Sequence, residues 1–301
     1  MNQLIDRKRW WTEILLLCLL ALFWGSSYLW IKLGLIGFGP VTLIAFRVSI
    51  AAVVLLVVLF ASGYSLPTDT RTWGLLAVQS FMNSFGAWTL LAWGQQFVDS
   101  GLAGVLNSMS PVFVFFITVF ITRHESVGLR KFIGALLGVT GILFIMGPGV
   151  LAGLGQQVLA QLSILAGSFL YGCAAIFGKR FSGLPPAVTA ASAMLIASVV
   201  MWPAAFVFED PLLMRPDIKS IGAILMLSVF GTAGALLLYF RLVNTLGSMG
   251  VASQGFLRIG VSVLLGVIVL GETLTPMIIL GLIACLFGVA LINFPARAKQ
   301  P

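Results

Sequence analysis

Charge is what this 301-residue chain has least of. Only 9% of its residues are charged, against about 25% in an ordinary soluble domain. That is too little to wet a surface, and no hydrophilic stretch is long enough to form a soluble domain. A soluble globular protein, a disordered chain and a nucleic-acid binder are excluded together. Histidine occurs once, at His124, and cysteine three times. Cys18, Cys173 and Cys285 all lie in apolar runs without metal-ligand spacing, so they read as small buried hydrophobes. No cofactor or metal is expected. Hydrolysis inside a bilayer needs a Ser–His pair, paired aspartates or a histidine-rich metal site. One histidine and no aspartate deep in an apolar run supply none of these, so an enzyme is not expected.

What the chain does have is apolar length. Hydrophobic residues make up 60% of it, with 33 glycines besides. Ten helices of about 21 residues would use about 70% of the positions, which matches that composition. Apolar stretches fall near 12–36, 40–62, 72–98, 100–122, 129–148, 156–180, 186–208, 217–244, 248–270 and 275–294. They are continuous, not alternating, so they predict transmembrane helices and not barrel strands. Turn signals separate them, among them Gly37-Phe38-Gly39-Pro40 and Gly183-Leu184-Pro185-Pro186. Arg7-Lys8-Arg9 precedes a run too long for a signal peptide, which reads as the first helix.

Ten spans place both termini on one side. Twelve Lys and Arg fall on that side, against three (Lys32, Arg215, Lys219) on the other. Positive charge marks the cytoplasmic face, so both termini are expected in the cytoplasm. The net charge of +8 thereby has an explanation that needs no polyanionic partner.

An offset of 147 aligns the chain with itself. Gly25 meets Gly172, Lys32 meets Lys179, Glu125 meets Glu272, Gly134 meets Gly281 and Gly141 meets Gly288. Two repeats, 1–152 and 153–301, each hold five helices. Five is odd, so the second copy enters the membrane upside down. Inverted repeats of this kind build many secondary transporters. Alternating access follows when the two copies exchange shapes.

Trp24-Gly25-Ser26-Ser27, Phe46-Arg47, Gly271-Glu272-Thr273-Leu274-Thr275, Gly281 and Gly288 together resemble the repeat pattern of the drug/metabolite transporter superfamily, in particular its EamA-type ten-helix exporters. The resemblance covers nearly the whole chain. It implies export of amino acids, aromatic ones among them, or of related metabolites across the bacterial inner membrane. Two positions depart from the pattern. His124-Glu125 stands where the second copy has Gly-Glu, and Arg258 stands at the symmetry mate of Pro111.

Arg258 is the most telling residue. It lies near the middle of its span, where a cation is costly. Asp99, Glu125, Glu209, Asp210, Asp217 and Glu272 stand at helix ends or in loops, so water in a central cavity is the remedy left. A guanidinium there suits a ligand carboxylate, or else it bonds helix-breaking carbonyls. Gln254 shares its face, and the mate of Gln254 is Asn107. These amides either bind substrate or join helices. Trp24 and its mate Tyr171, with Trp88 and Tyr239, form either an aromatic wall or core packing. Gln79, Asn83 and Ser84 place polar atoms along the third helix. Arg47 is expected to snorkel outward as a structural residue, and Glu125 and Glu272 to cap helices. The glycines Gly134, Gly138, Gly141, Gly281 and Gly288 are expected to pack the fifth helix on the tenth, or on a second subunit.

The expected function is therefore a secondary carrier exporting a small molecule down its gradient. The alternative is a proton-coupled multidrug antiporter, which the missing membrane carboxylate disfavours. A functional monomer or a homodimer fits two fused repeats.

Overall fold

The computed structural model describes residues 7–98, 103, 106–122, 128–146, 157–261 and 275–293. Within them the chain forms helices and no strands. They are α1 (Arg7–Gly34), α2 (Pro40–Ala61), α3 (Thr70–Gly94), α4 (Ser110–Thr122), α5 (Leu129–Met146), α6 (Val158–Phe177), α7 (Pro186–Phe208), α8 (218–246), α9 (248–261) and α10 (Pro276–Asn293). Gly247 separates α8 from α9. Its φ of 79° is left-handed, a conformation open to glycine at little cost. Seven of the described helical stretches are long and apolar enough to cross a membrane. Val199, Val207 and Phe208 of α7 are exposed, as a lipid-facing surface requires.

The helix ends explain themselves locally. Pro40 and Pro186 open α2 and α7, where a missing N–H costs nothing. Asp69 and Asp217 cap α3 and α8, accepting hydrogen bonds from the N–H groups of Thr72 and Ser220. Bonds from those residues hold both carboxyls below the usual aspartate range. Each cap therefore contributes fully above that range and is lost as pH falls through the lower folded value. Glu209, at the end of α7, reaches across to α2. Its two carboxylate oxygens accept from Val41 N and Thr42 N, each at 2.9 Å. This joins the 209–217 connection to the α1–α2 turn, so both lie on one side, the far side. Trp10 Nε1 donates to Asn293 O at 3.1 Å, which puts the start of α1 and the end of α10 together on the opposite, terminal side.

Contacts come in pairs related by the 147 shift. A Cβ on Gly141 would sit 2.6 Å from Gly281 O, and one on Gly134 would sit 2.8 Å from Gly288 O. The shift converts one contact into the other. Cys285 Sγ donates to Gly138 O, and Ser108 Oγ to Gly255 O, each across 147 positions, so both pairs straddle the pseudo-twofold axis. The expected packing of the fifth helix on the tenth is thus present within one chain. Gly25 packs on Arg258 O and Val261 of α9, and Gly172 packs on Ser110 O and Val114 of α4. The glycine match in the sequence reflects two equivalent helix crossings. The shift is not constant, however. The Asp caps and π-helical turns of α3 (Phe81–Phe85) and α8 (Val229–Gly234) match at 148. The connection 209–217 is one residue longer than 62–69, which accounts for the slip. Among the cysteines, Cys285 is buried and Cys173 partly so, but Cys18 is exposed. An outer face that meets lipid takes a small apolar residue as readily as a core does.

Gly288→Val is expected to lower thermal stability in detergent by about 1–3 kcal/mol, because the new side chain meets the backbone of α5. Gly74→Ala, which meets nothing within 4 Å, is expected to be neutral. Equal melting points for the two variants would contradict the crossing.

Candidate functional site

Two adjoining voids occupy the middle of the bundle. The one nearer the far side encloses about 40 Å³ and the one nearer the terminal side about 10 Å³. Trp24, Tyr171 and Arg258 wall both. Asn107 lines the first and its mate Gln254 the second. Leu91 and Tyr239, mates at the 148 shift of α3 and α8, divide in the same way. The voids are therefore two faces of one site, exchanged by the pseudo-twofold.

Three of the four expected rings stand together. Trp24 lies 5.6 Å from Tyr239 and 6.3 Å from Tyr171 by ring centroids. The Arg258 guanidinium stands 5.9 Å from the Trp24 ring, at the limit of a cation–π contact. Arg258 is 6% exposed, and it faces the voids and not the lipid. Of the other expected site residues, Trp88 lines the far-side void, while Gln79 and Asn83 line neither. Gln79 Nε2 donates to Ala174 O at 3.3 Å. Asn83 is fully buried in the π-helical turn of α3 and finds no hydrogen-bond partner among the described residues. Such a group asks for water. Glu125, Glu272 and His124 lie outside the described residues.

Arg47 departs from expectation. It does not snorkel to the surface but is 3% exposed on the wall of the far-side void. Its guanidinium lies 3.7 Å from the Trp88 ring centroid, a contact worth about 2 kcal/mol when desolvated. Its Nε donates to Thr232 Oγ1 at 2.7 Å and one terminal nitrogen to Gly231 O at 3.4 Å. The sequence of α8 builds this seat. Thr232 donates its hydroxyl to Leu227 O, five residues back, at 2.9 Å. That spacing is the spacing of a π turn, and π turns gather at functional sites. The turn offers Arg47 a hydroxyl and a carbonyl together. A count of depth from Pro40 alone has no way to see an acceptor on another helix.

Sequence reasoning also passed over Glu13. It is 1% exposed, near the terminal-side end of α1. Arg241 of α8 donates to it at 2.8 Å and Thr245 at 3.0 Å. The equivalent crossing in the other copy is α6 on α3, where a Cβ on Gly94 would sit 2.8 Å from Ala160 O. One end of the bundle is thus tied by an ion pair and its symmetry mate by close backbone packing. The signal was present as an acid and a base at the same end of two spans.

The sequence matches the EamA-like transporter family twice, over residues 11–147 and 158–294. The second match is the first displaced by 147 at both ends. The chain belongs to the EamA-like transporter family. It is a multi-pass membrane transporter of the drug/metabolite superfamily and not an enzyme. It is 28% identical to an uncharacterized inner membrane transporter of Escherichia coli K12, YedA, over 92% of this chain and 91% of that one. It is 26% identical to a Bacillus subtilis transporter, YoaV, over 93% and 96%. A WAT1-related chloroplastic protein of Arabidopsis thaliana is also 26% identical, over 91% of this chain and 67% of its own. A solved crystal structure superposes with a TM-score of 0.78 over 94% of this chain and 97% of that one, at 17% identity, which shows a shared fold.

Removing the base from a buried acid leaves an unpaired charge. Arg241→Ala is therefore expected to cost about 1–3 kcal/mol, less than a fully buried pair because Arg241 is half exposed. Thermal melting in detergent checks it, and an unchanged midpoint would show the pair to be idle.

Proposed function

We propose that this transporter exports small carboxylate-bearing metabolites, amino acids among them, across the bacterial inner membrane by alternating access. The observation that carries the reading is the central site itself. Buried Arg258, the amides Asn107 and Gln254, and the rings of Trp24, Tyr171 and Tyr239 converge on voids lying on the repeat axis. A guanidinium binds a carboxylate bidentately. Amides complete the polar contacts, and the rings offer a surface for the rest of the molecule. The repeats, taken as 1–152 and 153–301, exchange shapes to open the site to either side. Both termini face the cytoplasm on the charge bias of the connections. No carboxylate lines the site among the described residues, which favours movement of substrate down its own gradient. Two repeats in one chain complete the pathway, so a monomer suffices.

Arg258→Ala in proteoliposomes is expected to weaken binding of carboxylate substrates by about 2–5 kcal/mol, and Arg258→Lys to recover part of it. Undiminished transport by Arg258→Ala would remove the assignment.

A further inference from the structure

α1 and α8 run in opposite directions along one seam. Deep in the bundle Trp24 and Tyr239 stand 5.6 Å apart on the wall of the terminal-side void. Nearer the terminal side Arg241 donates to Glu13 at 2.8 Å and Thr245 donates to it at 3.0 Å. Glu13 precedes Trp24 by 11 residues, about 16 Å of helix, and Thr245 follows Tyr239 by six, about 9 Å. The carboxylate and its two donors therefore tie the seam on the terminal side of the void. Leu17 and Leu20 of α1 and Leu242 and Val243 of α8 lie between the tie and the void, all fully buried in one apolar cluster. Apolar packing there keeps water out while the seam is shut.

The tie is built to be released. The Glu13 side chain is 1% exposed and that of Arg241 is 48% exposed, so the base already reaches the surface while the acid does not. A buried carboxylate stripped of its base is costly. Glu13 therefore has two stable settings, bonded with the seam shut or hydrated with the seam open. The backbone is interrupted close by. Gly247, two residues past Thr245, has a φ of 79° and ends the helical run of α8. Rotation there moves the end of α8 without unwinding α9. The other copy has no such tie. Its α6 crosses α3 with Ala160 and Ile164 against Gly94, an apolar contact, so the two ends of the pathway are closed by different chemistry. Resting on the reading of the central voids as a transport site worked by alternating access, we propose that Glu13, Arg241 and Thr245 form a latch on the terminal side. Made, it holds the site shut to that side. Released, it lets α1 and α8 part and admits water and substrate. The latch thereby biases the resting transporter towards the far side.

The test puts Gln254→Cys or Asn107→Cys into an otherwise cysteine-free chain and applies a charged thiol reagent from each side of the membrane. Each is combined with Glu13→Gln, which keeps the side-chain shape and loses the charge, with Arg241→Gln, and with Arg241→Lys as the conservative control. Size-exclusion elution checks that each variant is folded. Glu13→Gln and Arg241→Gln are expected to speed modification at position 254 from the terminal side about tenfold and to slow it at position 107 from the far side. Arg241→Lys is expected to stay within about threefold of the unlatched change's starting point, the chain with Glu13 and Arg241 intact. If Glu13→Gln does not fold, Arg241→Gln, altered at a half-exposed position, decides alone. Rates that rise together at both positions, or that stay within about twofold, would make the pair a static clamp and overturn the latch while leaving alternating access standing. No reaction at either position from either side, with Glu13 and Arg241 intact, would remove both.

Discussion

A guanidinium cannot be left bare among apolar helices. Its desolvation costs several kcal/mol even after the surroundings relax, so the structure must supply dipoles, water or an anion. Here two such groups lie at the centre of the bundle, and the chain meets the requirement in visible ways. It bends α8 into a π turn to give Arg47 a hydroxyl and a carbonyl, and it slides Trp88 beneath the guanidinium. It also surrounds Arg258 with voids and not lipid. The cavity, the amides and the rings around it are consequences of placing fixed positive charge where the repeats meet.

The fold supplies that meeting place. Two copies of a five-helix unit cross on glycines, with Gly134, Gly141, Gly281 and Gly288 bringing backbones within contact of one another. Close crossings hold the axis while the remaining helices surround a space. Symmetry is strong in this scaffold and deliberately weak in the site. Arg258 replaces a proline mate, and Arg47 has Met194 as its mate under the same shift. The cations thus come from single positions in each copy, so the two faces of the site differ in charge though they share shape. The terminal-side end differs too, since Glu13 and Arg241 form an ion pair where the other copy packs Ala160 on Gly94.

Much of this was legible in the sequence, for physical reasons. Continuous apolar runs leave little freedom in a bilayer, so the helices and their number follow from hydropathy. The repeat was visible because glycines at close crossings tolerate no Cβ, and the pairs Gly25/Gly172 and Gly134/Gly281 therefore survive in both copies. Arg258 announced itself by cost. The position of Arg47 was not legible, because its acceptors come from a π turn on α8 that no pattern of apolar residues forecasts. Glu13 was hidden by its nearness to the chain start, where an acid reads as solvated. Gln79 and Asn83 show the converse limit: periodicity puts polar atoms on a helix but does not say whether they face a cavity or a neighbouring carbonyl.

The account stands on one wet site reached from either face. Cysteines placed singly at Asn107 and Gln254 in an otherwise cysteine-free chain, treated with a charged aqueous thiol reagent from each side of the membrane, test it most directly. The account predicts that both positions react, position 107 more readily from the far side and position 254 from the terminal side, with substrate slowing both. Protection of both positions from either side, with or without substrate, would contradict it.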